Sequence, residues 1–510
     1  MFVGFFISGL SFALIARFEG IMKPVLLLIS LTSLLLVSAC ASDAPQVKGD
    51  GPVPLERQTL PAGDGWGAAG PGVTGGAAAK SGDVYTVSSR KQFVEALKRS
   101  GSNPKIIRVQ GTINLSTDDS GRELGFRDYA DPAYDFEAYK KTYDPAVWNR
   151  QPLVNGKPPK VTGPLEEARL RSWNKQKRQV QVLIPSNTTL IGLGADAKII
   201  KGNLYLGRGV SNIIIRNIAF EDAYDFFPAW NSGDSYSTKR TEPVIDYMGI
   251  NRSVSGCQEV FENDLKGPHR CNGGRWNSEF DLISLKGADH VWIDHCSFSD
   301  GQTLAKTLPN IYALPYNQPE QKITPHDGLL DITNGSNYVT VSYSHFFNHD
   351  KAMIIGASDN QPADEGSLKV TYHHNLFEQL RQRQQLVRYG QVHSYNNLFA
   401  GSLADPQYPF AYAFGLGAAA KIYSENNVFQ IDGLSDPAGL VSFFMPGAAL
   451  QDKGSVLNGK PVSITASFNA GSPKNAIVTD IGWRPPVPAD LLASDAVPAY
   501  VRSNAGPGKI

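Results

Sequence analysis

Six stretches of this chain share one eight-residue shape, and that recurrence limits the fold more than any other feature. They are IIIRNIAF (213–220), VWIDHCSF (291–298), VTVSYSHF (339–346), VTYHHNLF (370–377), VHSYNNLF (392–399) and IYSENNVF (422–429). Aliphatic and polar positions alternate, Asn or His sits near the end, and Phe closes each stretch. Alternation sends every second side chain to one face, as in a strand. The closest pair, Phe377 and Phe399, lies 22 residues apart. That interval is too short for the helical crossovers of a doubly wound sheet. Of the Asn-Gly pairs, only Asn334-Gly335 lies between strand-like runs, so a hairpin-built sandwich lacks its turns. A solenoid of short strands remains, in which each coil buries its inward residues on its neighbours, Phe on Phe and Asn on Asn. The expected fold is all-β, a parallel β-helix with long loop excursions.

The rest of the chain is arranged around that solenoid. Residues 1–40 read as a signal segment. Met22-Lys23 followed by PVLLLISLTSLLLVSAC gives a positive start, an apolar run and a small-residue exit. Met22 is the expected true start, with residues 1–21 as upstream read-through. The exit Val37-Ser38-Ala39-Cys40 resembles a bacterial lipobox, which makes Cys40 the lipidated first residue, and Ala41 fits outer-membrane delivery. An ordinary signal peptide is the alternative; in either case the protein is expected to be exported, as an outer-membrane lipoprotein or secreted. Residues 41–80, rich in Gly, Pro and Ala, read as a flexible tether whose 63–76 end packs onto the domain.

Residues 81–510 form the expected β-helix domain. It opens with strand character at 84–87, an amphipathic helix across 89–98 and a strand at 105–110. The polar, aromatic excursion 118–179 has helix-like pieces at 136–141 and 165–177. Cys257 and Cys271 flank a polar loop and form a possible disulfide in an oxidising compartment. Cys296, inside VWIDHCSF, reads as a buried small hydrophobe.

Lys plus Arg and Asp plus Glu both number 48, so no globally basic surface for nucleic acid exists, and an acidic polymer must meet a local patch. Such a patch emerges around residues 326–351, HDGLLDITNGSNYVTVSYSHFFNHDK. Asp281 lies six residues before Gly287, while Asp331 and Asp327 lie four and eight before Gly335. Even offsets on regular strands put all three on one face of neighbouring coils, about 4.8 Å apart. Solvated surface charge explains two such carboxylates more easily than three. A hard, oxygen-seeking cation relieves their repulsion. Later coils add Lys351, Arg383 and Arg388, cations suited to gripping an anionic linear polymer. Ordinary exposed charge is the plainer reading of Arg381 and Arg383.

Taken together, VWIDHCSFSDG, HDGLLDITNGSNYVTVSYSHFFNHDKAMIIGASD, KVTYHHNLFEQLRQRQQLVRYGQVHSYNNLF and FEDAYDFFPAW resemble the pectate lyases of polysaccharide lyase family 1. The resemblance runs from about Gly65 to the C-terminus. It implies a right-handed parallel β-helix, Ca²⁺ as cofactor, and eliminative cleavage of α-1,4-polygalacturonate to 4,5-unsaturated oligogalacturonates. Position by position, it implies that Asp281, Asp327 and Asp331 ligate calcium and that Asp234 holds an additional calcium shared with substrate. It makes Arg383 the base, although a guanidinium is ordinarily protonated, and Lys351 and Arg388 the cations that bind uronate. The implied partner is polygalacturonate, met by a monomer that touches membrane only through a lipid on Cys40.

Some positions depart from the family pattern. Gln385 and Leu386 stand where it usually has Pro and a further Arg, which is expected to alter affinity or preferred substrate. The insertion 236–272 is expected to wall the groove. Two other readings fit these residues less well. A metal-free pectin lyase acting on esterified polymer has no use for three carboxylates, and a non-catalytic polysaccharide-binding β-helix lipoprotein has none for Arg383. Asp294-His295 and His373-His374 are expected to be structural, and Trp230 and Trp276 to pack or to stack on sugar.

Overall fold

The computed structural model describes residues 52–148, 151–152, 154, 159–232, 275–304, 311–312, 323–485, 488 and 490–510. Cys40, Asp234, Cys257, Cys271 and the insertion 236–272 lie outside them.

The six repeats build a parallel β-helix, as their pattern requires. Among the described residues, strands line up into two ten-stranded sheets and one eight-stranded sheet, with a small three-stranded sheet beside them, and the coils between the two ends contribute to the three large sheets in turn. The first half of each repeat lies in the first sheet: Ser211–Arg216, Asp289–Asp294, Asn337–Ser342, Lys369–His373, Gln391–Tyr395 and Lys421–Glu425 stack in that order. Register follows the repeat, with Val291 between Ile213 and Val339, and Val370 on Val392. Each Phe opens the second sheet. Phe220, Phe298, Phe346, Phe377, Phe399 and Phe429 stack with ring centroids 5.3, 4.7, 5.2, 4.7 and 4.8 Å apart. That spacing is close to the distance between neighbouring strands, about 4.7–4.9 Å.

Between the two sheets each coil turns through a left-handed residue. Asn217, His295, Tyr343, His374, Asn396 and Asn426 all have φ between +46° and +62°. Such a conformation costs about 1–2 kcal/mol for a residue with a side chain. The next position offsets it through a buried amide ladder. The Asn375 N–H donates to Asn397 Oδ1 and the Asn397 N–H to Asn427 Oδ1, both at 2.9 Å. The side-chain amides donate back along the stack, Asn397 to the Tyr372 carbonyl at 2.9 Å and Asn427 to the Ser394 carbonyl at 2.8 Å. His295, Tyr343 and His374 form a parallel ring stack on the same corner, which gives His295 the packing role expected of it. Asp294 is likewise engaged, accepting from Arg216 at 2.8 Å and Ser342 at 2.7 Å.

The 63–76 end of residues 41–80 packs onto the domain as expected, but the packed part begins earlier than expected, with Leu60. Leu60 and Val73 pack into an apolar cluster with Ile214 and Trp292. Threonines on the outer face of the first sheet accept from this segment's backbone: Thr371 from Trp66, Thr340 from Gly67 and Thr189 from Gly76, at 2.9, 3.0 and 2.8 Å. Close approach explains the glycines that suggested flexibility. A Cβ on Gly76 would lie 1.9 Å from the Lys105 carbonyl oxygen.

The helix Arg90–Arg99 starts where Ser89 accepts from the Gln92 N–H, and its buried Phe93, Ala96 and Leu97 join the core with Val87 and Ile107. The excursion contributes the helices Phe136–Thr142 and Pro164–Val180. Tyr139 and Tyr143 pack with Trp230, Trp276 and Tyr312, so both tryptophans serve packing. Cys296 is a free, buried thiol, pushed up to about 12 by burial.

Candidate active site

The three aspartates meet at the start of the third sheet. Asp331 lies within the strand Leu330–Thr333, which pairs with Ile283–Lys286 of the previous coil; Asp281 and Asp327 lie just before those strands. Asp281, Asp327 and Asp331 come together by a register other than the even offsets that the sequence suggests. Val291 faces Val339 in the first sheet, whereas Ser284 faces Asp331 in the third, one residue fewer between coils. The corner at left-handed Asn334 absorbs the difference, so Asp281 aligns beside Gly328 rather than on the face of Asp331.

Gly328 brings the carboxylates together. Its N–H donates to Asp281 Oδ1 at 3.0 Å, and a Cβ on it would lie 2.4 Å from Asp331 Oδ1 and 3.0 Å from Asp281 Oδ1. Ser284 donates to Asp281 Oδ2 at 2.5 Å, and the Ile354 N–H to Asp331 Oδ1 at 3.1 Å. Across the cleft, Lys351 Nζ donates to Asp327 Oδ1 at 2.8 Å.

These surroundings push the carboxyls apart in acidity. Burial and the neighbouring Asp327 charge push Asp281 up to about 6. Burial, then Asp281 and Asp327, hold Asp331 well above the usual range. Burial also acts on Asp327, but the Lys351 charge and hydrogen bond outweigh it and hold Asp327 low. Two buried oxygen donors that resist ionising in the absence of a cation sit beside one that is already ionised.

Arg383 joins the second-sheet strand Leu376–Gln382 to the third-sheet strand Gln385–Val387 through a left-handed backbone, φ +57°. It lines a cleft of about 380 Å³ with Asp327, Lys351, Asn231, Arg275 and Glu279. Burial pushes the Tyr412 hydroxyl up to about 12, against the pull of the Arg383 charge. Arg388 is not among the residues lining the cleft. Its Nε lies 3.3 Å from Asp359 Oδ2, and its Nη1 donates to the Gly356 carbonyl at 3.1 Å. The two departures from the family pattern are buried: Gln385 donates to Ser394 Oγ at 3.0 Å, and Leu386 lies against Gly415. Arg381 is not exposed charge, since its side chain is 14% exposed and lies 3.5 Å from Asp350.

A buried network behind the cleft escaped sequence reasoning. Asp300 Oδ1 lies 2.5 Å from His349 Nδ1 and 3.2 Å from His326 Nδ1, and Asp300 Oδ2 accepts from Tyr408 at 2.8 Å. His326 Nε2 is 2.8 Å from Asp222, and His349 Nε2 is 3.1 Å from the Lys351 carbonyl. Burial works against the His326 charge, yet Asp300 and Asp222 push it up to about 9. The network fixes backbone adjoining Asp327 and Lys351. Glu279 also went unnoticed; burial raises it, and the Asp327 charge adds to the rise.

The family model described as pectate lyase matches residues 36–130, 161–255 and 257–510. The pectate lyase of Bacillus subtilis (strain 168) is 41% identical over 89% of this chain and 94% of its own length. Pectate lyase E of Dickeya chrysanthemi is 31% identical over 89% of this chain and 88% of its own. Among solved structures, a pectate lyase bound to a hexasaccharide superposes with a TM-score of 0.76 at 40% identity, covering 89% of this chain and 99% of that one. The pectate lyase from Acidovorax avenae subsp citrulli gives a TM-score of 0.74 at 33% identity over 88% and 95%. With a matching β-helix and these relatives across nearly its whole described length, the chain belongs to the pectate lyase family.

Proposed function

We propose that this pectate lyase is calcium-dependent and cuts α-1,4-linked polygalacturonate by β-elimination, leaving a 4,5-unsaturated uronate at the new end. The observation that carries the reading is the cleft where Asp327, Lys351 and Arg383 meet, next to buried Asp281 and Asp331. The donor set fits a hard cation. Asp281, Asp327 and Asp331 offer only oxygens, and at Gly328 the space beside Asp281 and Asp331 is kept clear of any side chain. These three aspartates would hold the ion, and Asp234 a further one shared with substrate. When bound, calcium neutralises a uronate carboxylate and so acidifies the neighbouring C5–H.

The chain's own residues carry the remainder. Lys351 places positive charge where negative charge grows on the uronate as the proton leaves. Arg383 takes the C5 proton; the C–H electron pair becomes the C4–C5 double bond, the C4–O bond breaks, and the departing oxygen takes a proton from water. Arg388, held by Asp359, binds a neighbouring uronate. Leu386, buried against Gly415, offers polymer no charge where the family usually has a further Arg. Absorbance of the new double bond, followed with and without chelator, tests the reading.

The same proposal makes the protein an exported monomer anchored through a lipid on Cys40, supported by the VSAC exit after the apolar run. Mass spectrometry of the N-terminal peptide tests the anchor: acyl chains on Cys40 support it, and an unmodified Cys40 or cleavage elsewhere refutes it.

A further inference from the structure

A larger cavity, about 770 Å³, lies over the first sheet and shares no lining residue with the cleft. Asp64 and Asp490 stand on its wall, and behind them lie His373 and His374, both fully buried. The Nδ1 atoms of the two histidines are 2.9 Å apart, and Asp490 Oδ2 is 3.7 Å from His374 Nδ1. One donor atom from each of His373, His374 and Asp490 lies within 4.8 Å of the other two. Ligands about 2.0–2.1 Å from a tetrahedral zinc ion lie roughly 3.3–3.5 Å from one another, so the two separations bracket what such an ion needs.

The geometry points to His373, His374 and Asp490 as a binding site for a divalent transition-metal ion of the zinc class, separate from the calcium-type cleft. Two imidazole nitrogens and one carboxylate select zinc, nickel or copper over calcium, which takes oxygen ligands. Asp64 supports this assignment. Its Oδ1 lies 2.9 Å from His373 Nε2, close enough to orient the ring whose Nδ1 faces His374. In the metal-free protein a proton between the facing Nδ1 atoms relieves their lone-pair repulsion, and the metal replaces it. His374 Nε2 has no hydrogen-bond partner among the described residues, so pairing between the two rings leaves His374 only half satisfied. Tyr343 and Tyr395 each donate to Asp490 at 3.4 Å and steady it. Asp490 is exposed, which leaves a route for the ion and room for a water ligand. Bound metal would clamp the segments carrying Asp64 and Asp490 onto the coil between them.

The test uses the full chain, stripped of metal and then held in excess calcium so that the oxygen site is filled. Titration calorimetry with zinc chloride should show one ion per chain, and thermal unfolding should shift upward by a few degrees. Asp490→Asn alters an exposed side chain and should unfold like the parent in chelator, yet bind zinc roughly tenfold more weakly or worse. No zinc binding, binding that excess calcium abolishes, or unchanged zinc affinity in Asp490→Asn would overturn the proposal. The reading of the cleft stands or falls separately, on calcium and polygalacturonate.

Discussion

Lys351 holds Asp327: its Nζ donates to Asp327 Oδ1 at 2.8 Å, and both line the cleft that contains Arg383. One lysine thus keeps a metal-type carboxylate ionised and stations positive charge where substrate must lie. The two roles separate by mutation. Lys351→Met should lower kcat about 10²–10³-fold, the usual loss of one well-placed electrostatic group. Calcium affinity, measured by titration calorimetry, should stay level or tighten as Asp327 is released. A calcium affinity that falls in step with kcat would argue against this division.

Gly328 gives a sharper test of the carboxylate cluster, because the residue has no chemistry of its own. Its backbone is not left-handed, so Ala is tolerated there, but a methyl group would meet Asp331 Oδ1 at 2.4 Å. Gly328→Ala should weaken calcium binding by about tenfold, ~1.4 kcal/mol. Circular dichroism should be unchanged.

Asp281 predicts a dependence of stability on pH. Its carboxyl sits at about 6 in the folded chain, against ~3.9 unfolded. The folded state therefore binds more protons than the unfolded state between those values, and this group's stabilisation, complete below pH ~3.9, is lost as pH rises through about 6. In chelator at pH 7–8, Asp281→Asn should unfold at a higher temperature than the parent. Saturating calcium should cancel or reverse the difference. Equal melting curves in chelator would show that Asp281 carries no such penalty.

The amide ladder should matter for stability and not for chemistry. Asn397 accepts from the Asn375 N–H and donates to the Tyr372 carbonyl in a fully buried position. Asn397→Ala leaves both unpaired, at a cost of about 2–4 kcal/mol. Thermal unfolding should drop by several degrees while kcat at 25 °C stays within a factor of ~2, since the ladder lies outside the cleft.

The fold was legible because Phe377 and Phe399, 22 residues apart, close repeats that also share an apolar first position, Val370 and Val392. The site was legible only in part. Asp327, Asp331 and Lys351 lie in one stretch, but the register linking them to Asp281 depends on a corner that takes one more residue in one coil than in the next. No periodicity shows that. Gly328 was invisible because its contribution is a missing Cβ, and Asp300 because His326 follows it 26 residues later and His349 comes from the next coil. In residues 53–80 only the packing of the 63–76 end was legible, for a related reason. Their glycines read as freedom, while Gly76 is there because a strand backbone lies against it.

The most direct measurement mixes the purified protein with polygalacturonate and follows the absorbance of the C4–C5 double bond, in calcium and in chelator, beside Arg383→Lys. The account predicts a rising signal in calcium, none in chelator and restoration when calcium returns. For a proton-transfer group, Arg383→Lys should lose about 10²–10⁴-fold in kcat with its fold intact. A signal that survives chelation, no signal at any calcium concentration, or an Arg383→Lys variant as active as the parent would contradict it.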